Sequence, residues 1–150
     1  MRMKDPSTIT VGEVMTKKVI TVNEDDSFEK ITKIFKEIKV NAFPVLNRHN
    51  KLVGIVSESD VMKVVEKRYL SKHEMFGTIG SRAKILSPRK VKDVMTRNPV
   101  TISPLATLEQ AIILMLIHHV RGLPVINEKN EVIGIIVKRD IVNTLLSESE

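Results

Sequence analysis

VNAFPVLNRHNKLVGIVSESDV, residues 40–61, returns as VRGLPVINEKNEVIGIIVKRDI, residues 120–141. The shift of 80 positions also holds upstream, where VGEVMTKKVITV (11–22) lines up with VKDVMTRNPVTI (91–102). Residues 11–61 and 91–141 align without a gap, and 14 of the 51 positions are identical. Composition alone would give about three. The chain is therefore written twice. The period is too long for a solenoid unit and short for two independent domains. The halves are expected to pack as one pseudo-symmetric module.

Each half reads as β-α-β-β-α, which makes the fold class mixed α/β (α+β). A short β-rich segment (VITV, PVTI) precedes a helix starting near Ser27 or Thr107. In the first copy Phe28, Ile31, Ile34, Phe35 and Ile38 follow helical spacing. Pro44 and Pro124 favour extended chain before them. FPVLN and KLVGIVS, joined by NRHN, read as a hairpin, as do LPVIN and EVIGIIV. A last helix is expected near Asp60 or Asp140, burying Val61, Val64 and Val65, or Ile141, Val142, Leu145 and Leu146. The repeats are bounded at 10–65 and 90–146. Residues 66–89 form an insertion whose first part, EKRYLSKHEMF, can extend the helix, with GTIGSR and LSPRK as linker.

The two copies differ on one helix face. Thr32, Lys33, Lys36 and Glu37 become Ile112, Ile113, Leu116 and Ile117. An apolar stripe of this kind marks an interface, here expected to be a homodimer contact. The alternative is cover from the insertion through Tyr69, Leu70, Met75 and Phe76.

Composition narrows the function classes. There is no cysteine, so disulfides, thiolate nucleophiles and Cys-based metal sites are excluded. The four histidines show no metal spacing. MRMKDPSTIT lacks the apolar region of a signal peptide, and the longest apolar run, AIILMLI at 111–117, is too short for a membrane span. A cytoplasmic, non-membrane protein is expected. The net charge of +6 favours anionic partners. Aromatics are 3% of residues with no Trp, which argues against base-stacking surfaces.

The motifs V-x-x-V-M-T, h-P-V-h-N and G-I-x-x-x-x-D, in two ordered copies, resemble a tandem pair of CBS domains (a Bateman module), here standing alone. The resemblance covers about 10–61 and 90–142. It implies a regulatory module, not an enzyme, binding AMP, ADP or ATP, less readily S-adenosylmethionine, in clefts between the repeats and signalling to an unidentified partner protein. The family pattern G-h-x-[S/T]-x-x-D places a carboxylate on the ribose hydroxyls and a hydroxyl on phosphate. GIVSESD (54–60) matches in full, whereas GIIVKRD (134–140) keeps Asp140 but has Val137 in place of Ser57.

By position, the resemblance implies a first site of Ser57, Ser59, Asp60, Asn41 and Ala42, with Met95, Pro99, Val100 and Arg121 across. The second comprises Asp140, Lys138, Arg139, Arg121 and Gly122, with Met15, Ile20 and Asn41 across. The site with Ser57 is expected to bind nucleotide better. The second is weaker, empty or suited to another ligand, with Lys138, Arg139 and Arg121 available to a phosphate. Ser57 and Asp60 also read as a helix cap, S-x-x-D before an apolar run. Two other functions stay open: nucleic-acid binding around Lys84, Arg89, Lys90 and Lys92, and a structural dimer with empty clefts.

Overall fold

The computed structural model describes residues 2–72 and 89–147. The first part of the chain forms α1 (Val11–Val14), β1 (Val22–Asn23), α2 (Phe28–Glu37), β2 (Ala42–Leu46), β3 (Leu52–Ser57) and α3 (Glu58–Lys72). Then follow β4 (Thr96–Arg97), α4 (Leu108–His118), β5 (Gly122–Ile126), β6 (Val132–Val137) and α5 (Lys138–Leu145). The α-β-β-α part of the reading holds in each half, while the leading β-segment is the two-residue β1 in the first half and a single bridging residue, Ile102, within PVTI in the second. α3 continues into the expected insertion as far as Lys72. Met75, Phe76, GTIGSR and Lys84 lie outside the described residues.

The chain divides into two compact units that do not follow the sequence repeats. One is contiguous, Ile20–Asn98, and is called the Asp60 unit below. The other, the Asp140 unit, joins Met1–Val19 to Pro99–Glu150. Each unit thus takes its V-M-T segment from the other repeat.

In the Asp60 unit the sheet order is β1-β2-β3-β4. β1 runs parallel to β2, and β3 is antiparallel to both of its neighbours. In the Asp140 unit β5 and β6 form the hairpin, and single bridges complete the pattern: Ile102 with Val125, and Thr16 with Ile135. These bridges sit 80 positions from Val22–Val45 and Thr96–Ile55, so the register repeats with the sequence.

Local chemistry explains the shared elements. Ser27 caps α2 by accepting from the Lys30 N–H at 3.2 Å. Thr107 and Gln110 form a reciprocal capping box at the start of α4, with bonds of 2.9 and 3.2 Å. In the first hairpin Asn47 Oδ1 accepts from the N–H groups of His49 and Lys51 at 2.8 and 3.0 Å. Asn127 does the same for Lys129 and Glu131 at 2.9 and 3.0 Å. Asn50 and Asn130 both hold φ 60°, the left-handed turn conformation that asparagine tolerates.

Each unit has its own core. Val22, Ile31, Phe43, Val45, Val56, Val91 and Met95 cluster in the Asp60 unit. Leu108, Ala111, Met115, Leu123, Val125, Ile136, Ile141 and Leu145 lead the other. Several residues expected inside are not. Val142 and Leu146 are exposed, because the buried face follows Ile141 and Leu145, and the next residue on turns about 100° away. Val65 is exposed as well, although its counterpart Leu145 is buried. Ile38 caps the end of α2 and is exposed as well. On α4, Ile112 packs partly against the core, so the outward stripe is Ile113, Leu116 and Ile117, at 46, 68 and 64% exposure.

Candidate functional site

Asp60 stands at the third position of α3, directly after β3. It is 6% exposed, the one charged or polar residue buried among those described. A buried carboxylate must be hydrogen-bonded, and this one is. Its Oδ2 accepts from the Ser57 N–H at 2.9 Å and from the Ser57 hydroxyl at 3.1 Å. Its Oδ1 accepts from the Thr96 hydroxyl at 3.2 Å. The Ser59 hydroxyl lies 2.7 Å from that of Ser57.

Asp140 repeats the arrangement at the start of α5 with fewer partners. Oδ2 accepts from the Val137 N–H at 3.0 Å. The Thr16 hydroxyl reaches both carboxylate oxygens at 3.3 and 3.4 Å. Asp140 is only partly buried. The capping reading is therefore correct as far as it goes: each aspartate satisfies a backbone N–H ahead of its helix. The other oxygen turns to a threonine from the opposite repeat.

Thr16 and Thr96 were absent from the site expected on sequence. Their signal was available, since both belong to the identical V-M-T positions. The methionines beside them fold with Met95 in the Asp60 unit and Met15 in the Asp140 unit. The glycine of each G-I motif makes room for them. A Cβ on Gly54 would stand 2.7 Å from Met95 Sδ and 2.9 Å from the Thr96 carbonyl oxygen. One on Gly134 would stand 2.5 Å from Met15 Sδ and 3.0 Å from the Thr16 carbonyl oxygen. Here glycine permits close approach of another strand.

Asn41 and Ala42 open β2 beside the helix start, and the Asn41 carbonyl accepts from the Glu58 N–H at 3.1 Å. Arg121 and Gly122 do likewise, with the Arg121 carbonyl accepting from the Lys138 N–H at 3.1 Å. So Ser57, Ser59, Asn41, Ala42 and Met95 fold in the same unit as Asp60. Lys138, Arg139, Arg121, Gly122 and Met15 fold in the same unit as Asp140. Pro99, Val100 and Arg121, expected across from Asp60, fold in the Asp140 unit, and Ile20 and Asn41, expected across from Asp140, fold in the Asp60 unit.

The basic cluster offered for nucleic acid is partly neutralised. Lys90 and Lys92 both reach Asp25, at 3.5 and 3.3 Å. Hydrogen bonding and charge from Lys92, with a further contribution from Lys90, hold the Asp25 carboxyl below the usual carboxylate range. Among the described residues no group of His, Cys, Asp and Glu could hold a metal ion, and no helix is long and apolar enough to cross a membrane.

Comparison with known proteins gives the geometry its setting. The CBS domain model matches residues 11–67 and 91–147. An uncharacterised protein of Methanocaldococcus jannaschii is 30% identical, covering 90% of this chain and 94% of its own. Among solved structures, CBSX2 in complex with AMP is similar at TM-score 0.75 and 27% identity, covering 90% of this chain and 94% of that one. The CBS domain pair of protein MJ0100, in complex with 5'-methylthioadenosine and S-adenosyl-L-methionine, is similar at TM-score 0.70 and 25% identity, covering 89% and 93%.

Proposed function

The chain belongs to the CBS-domain family, with two copies of the domain, and from that premise we propose that it is a regulatory module binding adenosine nucleotides at Asp60 and Asp140. One observation carries the reading. Each aspartate sits at a helix start, anchored by one oxygen to the backbone and turned with the other toward a hydroxyl from the opposite repeat. A ribose diol presents hydroxyls of the same kind, and a carboxylate has about four acceptor positions to offer. The fold is shared with proteins solved with AMP, 5'-methylthioadenosine and S-adenosylmethionine. AMP, ADP and ATP are the ligands favoured here, with S-adenosylmethionine behind them.

The test is calorimetric titration with AMP, ADP, ATP, S-adenosylmethionine and GMP. At least one adenosine ligand should bind and GMP should not. Asp60→Ala and Asp140→Ala should each weaken one site by about ten- to a hundredfold, the loss of hydrogen bonds to a charged acceptor. Silence from every adenosine ligand overturns the reading. The module's output is a partner protein, reached because ligand favours one conformation over another by its differential affinity.

The same protein is proposed to be a homodimer through α4. Ile113, Leu116 and Ile117 are outward-facing where α2 carries Lys33, Lys36 and Glu37. A polar counterpart shows that the fold does not require apolar residues there. Sedimentation should give a dimer at micromolar concentration, and Leu116→Glu with Ile117→Lys should give a folded monomer. A monomeric wild type would refute this assembly.

A further inference from the structure

The two aspartate sites are closely alike in backbone and opposite in charge. Asn41 and Arg121 hold equivalent places, each with its carbonyl accepting at 3.1 Å from the first N–H of the helix that carries the aspartate. That first residue is Glu58 in one unit and Lys138 in the other. The next is Ser59 or Arg139. All six of these residues are exposed. Around Asp60 these positions hold a second carboxylate and no cation. Around Asp140 they hold three cations. The V-M-T segments lean the same way, with Lys17 and Lys18 after Thr16 against Arg97 and Asn98 after Thr96.

Acceptor capacity separates the sites too. Asp60 has taken three hydrogen bonds, two of them on the oxygen that holds the helix start. Asp140 has taken one N–H and one hydroxyl shared between its oxygens. It therefore keeps more lone pairs for a ribose diol and is the more exposed of the two.

We infer that the chain sorts adenosine ligands by charge. The Asp140 site takes the polyphosphorylated ligand, and the Asp60 site takes an adenosyl ligand with little or no negative charge. The inference rests on the reading of both aspartates as ribose-binding. It reverses the order expected from Ser57. That hydroxyl is held between Asp60 and Ser59, whereas Arg121, Lys138 and Arg139 set three full charges at the helix start that carries Asp140. Exposed charge pairs are individually weak and screened by salt. Three acting together give about ten- to a hundredfold discrimination at low ionic strength.

Adenosine and magnesium-free ATP are the probes, titrated at low and high salt into Asp60→Ala, which leaves the Asp140 site, and Asp140→Ala, which leaves the other. The Asp140 site should prefer ATP over adenosine by at least tenfold at low salt, and lose most of that preference at high salt. The Asp60 site should prefer adenosine. Exchanging the surrounding residues, Arg121→Asn with Lys138→Glu and Arg139→Ser, should abolish the preference for ATP while adenosine still binds. Equal preferences at the two sites, an exchange without effect, or no ATP binding in Asp60→Ala would each overturn the sorting while leaving adenosine recognition standing. Failure of adenosine and ATP at both sites would instead remove the nucleotide reading, and the sorting with it.

Discussion

Gly54→Ala should destabilise the Asp60 unit by about 2–3 kcal/mol, near the upper end of what an added methyl costs in a packed interior. The new Cβ would stand 2.9 Å from the Thr96 carbonyl oxygen, a backbone atom that cannot swing aside as a side chain can. Gly54 pairs with Arg97, and Ile55 with Thr96, so relief requires β4 to draw away from β3. That movement would also take the Thr96 hydroxyl from Asp60, 3.2 Å away. Stability and ligand affinity at Asp60 should therefore fall together. Urea unfolding measures the first and titration the second. Gly122→Ala is the comparison, since its Cβ would meet a Val137 methyl at 3.0 Å and the Ile136 carbonyl oxygen at 3.3 Å. It should cost distinctly less, and equal losses would show that the approach of β4 is not what Gly54 serves.

Phe43→Ala should cost more, about 3–5 kcal/mol. Phe43 is 1% exposed at the centre of the Asp60 core, and its ring lies 4.8 Å from that of Phe35, centroid to centroid. Truncation removes the apolar burial and the ring contact and leaves a cavity. Such a loss is a large share of the roughly 5–15 kcal/mol that holds a domain folded. The denaturant midpoint should drop sharply with little change in slope. Phe43→Leu reproduces what the other repeat carries at Leu123, also fully buried, and should cost less than half as much. A drop below 1 kcal/mol for Phe43→Ala would mean that the site collapses around the missing ring.

The sequence made the repeat, the hairpins, the helix caps and the two aspartates legible, because each leaves a local pattern. Asparagines at turn positions, Ser27 and Thr107 ahead of apolar runs, and Pro44 and Pro124 within β2 and β5 all act within a few residues. Thr16 and Thr96 were harder to place. Their bonds to Asp140 and Asp60 span 124 and 36 positions, and no local period reports such a partner. The exposure of Val142 and Leu146 escaped for another reason. An apolar residue beside the buried stripe is chemically the same as one within it, and only packing fixes the helix rotation. The exchange of V-M-T segments between units has no mark in composition at all.

That exchange shapes how the chain reaches its folded state. Residues 20–98 interrupt the Asp140 unit, whose closure brings Val11 to Ala106 and Thr16 to Ile135. Closing so long a loop in an unstructured chain carries a substantial entropic penalty and slows folding. Once the β1-β2-β3-β4 sheet has formed, β1 and β4 lie three strand spacings apart, about 14 Å. A disordered stretch of the same length would hold its ends several times farther apart. Folding of the inner unit thus shortens the loop that the outer one must close. The nested order gives synthesis a natural sequence, inner unit first, outer unit when the second hairpin arrives.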